Sequence, residues 1–194
     1  MPFLLCNFVE ELSVMDLIFA SIIKDFNGAL VHKKHPFRYF TLATADEEGA
    51  PRLRTVVLRA VDKNLTMTVY TDKRSEKIIH IEENKKVSML FFDTSRLLQI
   101  IVKGTAHKIT NDRELHEIWE KIPPKSRKDY TTDPAPGKEI KDPGEVDYIT
   151  NDHFFTALRL VPEEIEYLRL KRPNHIRARF KMENEEWKGV YLVP

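Results

Sequence analysis

The sequence predicts a mainly β, α+β fold, an antiparallel sheet or closed barrel with flanking helices. Three observations carry this. Short β-like runs are spread along the chain and outnumber the helical segments, polar turns join successive runs as hairpins, and the helices are inserted between hairpins instead of following each strand as in βαβ units. At 194 residues the chain is expected to form one domain over 1–194, long enough to bury a sizeable core.

Ser13 and Asp16 have the spacing of a capping pair ahead of Leu17, Ile18, Ile22 and Phe26, so a helix is expected over 13–26. The β-rich runs 37–45 and 52–60 flank Asp46-Glu47-Glu48-Gly49, a hairpin signal. Residues 65–71 alternate, with Leu65, Met67 and Val69 on one face, and predict a third strand. Ser75 opens a short helix holding Ile78, Ile79 and Ile81, and two strands follow over 87–92 and 98–106. From Asn111, the residues Leu115, Ile118, Trp119 and Ile122 recur at helical spacing until Pro123-Pro124 ends the helix. The stretch 123–148 is rich in proline, glycine and charge, too polar for core, and reads as a surface loop of functional or interface use. Four β-like runs, 154–161, 165–170, 176–181 and 187–193, close the chain.

Composition narrows the partners. Thirty-one lysines and arginines balance 30 aspartates and glutamates, and a net charge of +1 gives no electrostatic case for nucleic acid or an anionic membrane. Cys6 is the single cysteine, which excludes an intramolecular disulfide and suits a reducing cytoplasm. Residues 1–12 carry Glu10 and Glu11 and lack a basic n-region, so no signal peptide is expected there. No run approaches the ~18 apolar residues of a membrane span.

The chain has no Walker or dinucleotide glycine loop, no HExxH and no Gly-x-Ser-x-Gly elbow. His32-Lys33-Lys34-His35 lacks an acidic partner in line and reads as a solvated turn, so no metal site is expected. In Arg52-Leu53-Arg54-Thr55-Val56-Val57-Leu58-Arg59, a strand puts Arg52 and Arg54 on one face and Arg59 on the other, so the three cannot form one solvated edge. A half-exposed strand with outward arginines and an anion site both fit this segment. Tyr70-Thr71-Asp72-Lys73-Arg74-Ser75-Glu76-Lys77 joins a strand end to a helix start, where backbone N–H groups and the helix dipole favour phosphate and where Ser75 and Lys77 add donors. An N-capping serine among exposed charges explains the same residues.

Taken together and in order, Arg54 through Arg59, Tyr70-Thr71, Ser75-Glu76-Lys77, Gln99 with Gly104, Arg179 and Trp187…Leu192-Val193-Pro194 resemble the pyridoxamine 5′-phosphate oxidase family of flavoproteins over residues 35–194. The Arg-Ser-Glu-Lys element and Pro134-Ala135-Pro136-Gly137 look closest to the broader branch of oxidase-related FMN-binding proteins. The resemblance implies a split β-barrel, FMN as cofactor, a homodimer with a site across each side of its interface, and a small-molecule substrate. It implies that Arg54, Ser75 and Lys77 hold the FMN phosphate and that Thr55, Val56, Val57 and Leu58 offer backbone contacts along the flavin. Tyr70 and Thr71 would line the cleft, and Gln99 and Arg179 would reach the flavin from neighbouring strands or the partner subunit. Substrate would meet Arg59, His175 and Arg177, and no residue is implied as catalytic acid or base.

The departures from the family pattern fall on the substrate side. His175 stands where the oxidases proper carry a substrate-gripping arginine, Arg177 where histidine is usual, Arg59 for a lysine, Tyr191 for an arginine, and Leu168 for a flavin-contacting tryptophan. The tyrosine, arginine and serine at four-residue spacing that meet substrate phosphate have no counterpart over 119–127. Cofactor binding survives these changes better than pyridoxamine phosphate oxidation does. A flavin-dependent oxidoreductase is the leading expectation. The alternatives are a flavin-binding or stress-related module without turnover, and the same fold using haem or a deazaflavin.

Overall fold

The computed structural model describes residues 13–194; the segment 1–12, with Cys6 and the expected absence of a leader, lies outside the described residues. Ser13 caps α1 (Val14–Val31): its hydroxyl accepts the Asp16 N–H at 3.2 Å while the Asp16 carboxylate accepts the Ser13 N–H at 3.0 Å. The helix runs past its expected end at 26, through Asn27-Gly28, to Val31. Burial of Ala29 overrides the weak local propensity, and a Cβ on Gly28 would sit 3.2 Å from the His35 ring.

The other elements are β1 (Tyr39–Ala45), β2 (Pro51–Val57), β3 (Ala60–Val61), β4 (Met67–Asp72), α2 (Glu76–Glu83), β5 (Lys86–Asp93), β6 (Leu98–Lys108), α3 (Asp112–Lys121), α4 (Pro124–Arg127), β7 (Phe155–Arg169), β8 (Ile176–Glu183) and β9 (Glu186–Leu192). The strands form one antiparallel sheet in the order β2-β1-β5-β6-β7-β4-β3, and β8 and β9 branch from β7. This is the expected split barrel with flanking helices.

The branch point corrects the sequence reading. The runs 154–161 and 165–170 are a single strand, β7, because Pro162-Glu163-Glu164 forms a bulge opposite Lys103-Gly104 instead of a turn. β6 pairs with β7 along its length, while the other edge of β7 is divided between β4 over its first half and β8 over its second. That division opens the barrel. Two more corrections concern the proline-rich stretch. Pro124 starts the short α4 where helix was expected only to stop, since a proline fits a first helical turn. Tyr130, within a segment read as too polar for core, is buried with Ile109, Ile122, Phe155 and Trp119 in a small cluster that holds α3.

Alternation places Phe40, Leu42, Met89, Phe91, Ile100, Val102, Ile165 and Phe180 inside, and α1 closes this core with Ile22 and Phe26. Arg96, in the β5–β6 turn, ties α1 to the sheet by bonding Asp93 and donating to Asp25 at 3.0 Å. Burial pushes the Asp93 pKa up, but donors from Ser95 and Arg96 outweigh it and hold the carboxyl at about 2 against an ordinary 3.8. A depressed folded-state value means that this stabilisation is complete above about pH 4 and is lost as the pH falls through 2. On the order of 2 kcal/mol should separate wild type from Asp93→Asn at pH 5, and urea titrations should show that gap closing between pH 4 and 2. A gap independent of pH would contradict the ion-pair account.

Candidate functional site

The β4–α2 turn builds the first cluster. The Asp72 carbonyl accepts both the Ser75 N–H at 3.1 Å and the Ser75 hydroxyl at 2.7 Å, so Ser75 occupies the cap position of α2 without capping it through its side chain. Its oxygen lies 3.1 Å from the Thr71 hydroxyl, and Lys77 Nζ donates to Thr71 at 2.8 Å. From β2, Arg54 donates to the Thr44 hydroxyl at 2.7 Å and to the Leu42 carbonyl at 3.3 Å. Thr44 in turn stands 3.1 Å from Nδ1 of His80 on α2. Four expected residues, Arg54, Thr71, Ser75 and Lys77, thus gather around α2, joined by two that the sequence did not signal. Thr44 and His80 are buried polar residues on strand and helix faces, and only the β1–β2 register and the docking of α2 bring them to Arg54.

Charge explains what this cluster suits. Among the described residues, neither Arg54 nor Lys77 has a salt-bridge partner, whereas Asp72 is taken by Arg74 at 2.7 Å. Burial holds the Lys77 ammonium below its ordinary range, and the neighbouring Arg54 charge adds to that effect; burial also lowers Arg54. Two partly desolvated cations with adjacent hydroxyls fit a compact dianion such as a phosphate monoester, which would relieve their repulsion through charge-assisted bonds. Arg52, by contrast, bonds Asp46 at 2.9 Å on the exposed hairpin. Arg52 fits the outward, solvated reading, whereas Arg54 is partly buried beside α2.

A second recess of about 210 Å³ opens beyond the end of β2, lined by Arg38, Arg59, Lys121, Ser126 and Tyr70 over Leu58 and Ile122. It has three cations and no carboxylate in its lining. The Arg59 guanidinium lies 5.2 Å from the Tyr70 ring centroid, and its buried Nε has no partner. Burial raises the Tyr130 and Tyr70 phenols, with Arg59 opposing both shifts. Lys121 and Ser126 lie in the segment where sequence spacing found no phosphate-binding set; the α3–α4 corner folds them over Arg59.

Of the remaining expected residues, Thr55, Gln99, Arg177 and Arg179 face outward on the sheet. Thr55, Thr41, Leu90, Ile101, Glu166 and Arg179 form one cross-strand row, so Thr55 and Arg179 are five strand spacings apart, about 24 Å along the sheet. Gln99 lies between Phe92 and Leu168 in the next row. Arg177 is held by Glu166 at 2.8 and 3.1 Å, the buried Arg179 Nε has no partner, and His175 accepts the Lys171 N–H at 3.1 Å in the β7–β8 turn. Val56 and Leu58 point into the core, leaving their backbone, with that of Thr55 and Val57, along the edge strand β2. The same outer face exposes Tyr39, Leu53, Leu90 and Phe92.

Comparisons with known proteins agree with this architecture. The sequence profile of the pyridoxamine 5′-phosphate oxidase family matches residues 29–169. Pyridoxine/pyridoxamine 5′-phosphate oxidases from Polynucleobacter asymbioticus and Acinetobacter baumannii are 28% identical over 167 residues and 29% identical over 185, covering 79% and 87% of this chain and 78% and 84% of theirs. Among solved structures, a pyridoxamine 5′-phosphate oxidase-related, FMN-binding protein from Nostoc punctiforme superposes with TM-score 0.74 at 23% identity, covering 95% of this chain and 100% of its own. PhzG from Burkholderia lata, in complex with tetrahydrophenazine-1-carboxylic acid, gives 0.73 at 20% identity over 91% and 92%. With the profile spanning most of the chain and the forked antiparallel sheet shared, this protein belongs to the pyridoxamine 5′-phosphate oxidase family.

Proposed function

We propose that this protein is an FMN-dependent oxidoreductase that works as a homodimer on a small substrate carrying a compact anionic group. The Arg54–Lys77 pair carries the reading: two half-buried cations with no salt-bridge partner among the described residues, beside the Thr71 and Ser75 hydroxyls, suit a terminal phosphate monoester. When bound, FMN would supply the hydride chemistry. The protein's part is to orient and desolvate. The edge of β2 would meet the flavin ring, and the Arg38–Arg59–Lys121 recess would grip the anionic end of the substrate. Gln99 and Arg179 would come from the second copy, because they stand three and five strand spacings from β2 along the sheet and because Tyr39, Leu53, Leu90 and Phe92 offer an apolar face for pairing.

Equilibrium binding of FMN and FAD, with light scattering on the loaded protein, tests the proposal. Tighter FMN binding by a dimer is expected. A monomer that binds FMN fully, or a preference for FAD, would reject it.

Turnover of pyridoxamine 5′-phosphate under air is expected to be weak, at least about a hundredfold below that of an authentic oxidase, because Arg177 is engaged by Glu166 and several charge-assisted contacts of the oxidases are replaced. Pyridoxal 5′-phosphate formation is the measurement. Turnover at an oxidase's rate, abolished by Arg177→Ala, would show that the Arg59 recess and Arg177 rebuild the same recognition. The engagement of Arg177 also favours a second reading, a flavin-binding module without turnover, and that reading predicts a bound flavin that no anionic reductant bleaches.

A further inference from the structure

Among the described residues, two hydrogen bonds fix the Arg54 guanidinium, one of 3.3 Å to the Leu42 carbonyl and one of 2.7 Å to the Thr44 hydroxyl. The second is the shorter and sets the orientation. Arginine can only donate, so the Thr44 oxygen accepts from it and the single hydroxyl proton of Thr44 is left to give. His80 Nδ1, 3.1 Å away with both side chains buried, takes it in the tautomer that carries its proton on Nε2. His80 sits three residues after Lys77 on α2, so the two share a helix face.

We propose that His80 is a positioning residue of the phosphate clamp: as a neutral imidazole accepting at Nδ1, it orients the Thr44 hydroxyl, which holds Arg54 toward Lys77. One helix then serves both sides of the clamp. Ser75 and Lys77 at its start would meet the phosphate, and His80, one turn on, aligns the arginine that arrives from β2. The inference rests on reading Arg54 and Lys77 as the FMN phosphate site. Nothing in the sequence pattern marks His80 for such a role, since it lies on the buried face of α2 beside Ile78 and Ile81.

FMN and riboflavin differ by the phosphate alone, so the ratio of their dissociation constants isolates the clamp from general packing. Both are to be measured on the full chain for wild type, R54A, T44V, H80L, H80N and T44V/H80L. We expect T44V and H80L each to weaken FMN by roughly tenfold with riboflavin changed less than about twofold, the double variant to be no worse than T44V, and H80N to restore most of the affinity because its Oδ1 can accept near the place of Nδ1. Equal weakening of both flavins, an unchanged ratio in H80L, additive losses in the double variant, or an H80N as weak as H80L would each overturn the relay. T44V and H80N decide the matter should H80L fail to fold. If R54A leaves the ratio unchanged, the phosphate-site reading falls and the relay with it; an R54A effect without an H80N, H80L or T44V effect removes the relay alone.

Discussion

Replacing Gly104 by alanine is expected to destabilise the protein by about 3–5 kcal/mol. Gly104 sits at the bulge where β6 crosses the Pro162 region of β7, and a Cβ there would lie 1.9 Å from the Val161 carbonyl oxygen, 2.9 Å from its carbon and 3.0 Å from the Pro162 Cα. All three are backbone atoms, so no rotamer change relieves the clash, and the strands would have to part in the pairing from which the fold divides. Gly49 provides the control. Its φ of +81° disfavours alanine, but no atom stands within 4 Å of the added Cβ, so Gly49→Ala should lose only about 1 kcal/mol. Chemical denaturation of both variants compares a steric cost with a conformational one. Similar losses would mean that the bulge relaxes around a methyl group and that close approach is not why glycine stands there.

Removing either cation of the clamp should weaken FMN by about 1.5–3 kcal/mol, roughly ten- to a hundredfold. The reason is that neither Arg54 nor Lys77 has a salt-bridge partner among the described residues, with Glu76 and Asp72 acting on them only at longer range, so a charge-assisted bond to the phosphate would belong to the complex. Arg54→Ala with Lys77→Met should lose less than the sum of the two, because removing one cation relieves repulsion on the other. Arg52→Ala, whose side chain bonds Asp46 in the exposed hairpin, should change FMN binding by less than about 0.5 kcal/mol. Titration calorimetry with FMN measures all four. Equal effects from Arg52 and Arg54 would replace the clamp with a diffuse basic surface.

Local patterns made much of this protein legible from its residues alone. The Ser13–Asp16 capping box, the alternation of Met67 and Val69, and the Asn111 cap, which accepts the Glu114 N–H at 3.0 Å, act over a few residues and appear in the structure as read, whereas Leu65, read as the start of that strand, is buried from the preceding turn at φ +63°. Thr71, Ser75 and Lys77 stand within one short span where a strand end meets a helix start, while Arg54 was added by the family resemblance and reaches α2 only through the β1–β2 pairing and the docking of that helix. Polar runs misled where long-range contacts prevail. Pro162-Glu163-Glu164 reads as a turn but is absorbed as a bulge because β6 pairs on both sides of it, and Tyr130 is buried because Phe155 and Trp119, distant in sequence, form its wall.

What the sequence determined by itself was the fold class, from periodicity and turn chemistry, and the family resemblance, from the identity and order of its motifs, which proposes Arg54, Ser75 and Lys77 as phosphate donors. Only the tertiary structure decided that Arg52 is exposed while Arg54 is partly buried, that Lys121 and Ser126 close over Arg59, that Thr44 and His80 stand behind the clamp, and that Thr55 and Arg179 lie five strand spacings apart along the sheet. Each of these is set by strand register and helix docking. A shift of one residue in register turns every side chain of a strand to the other face, and that register is chosen by the packing of the whole core.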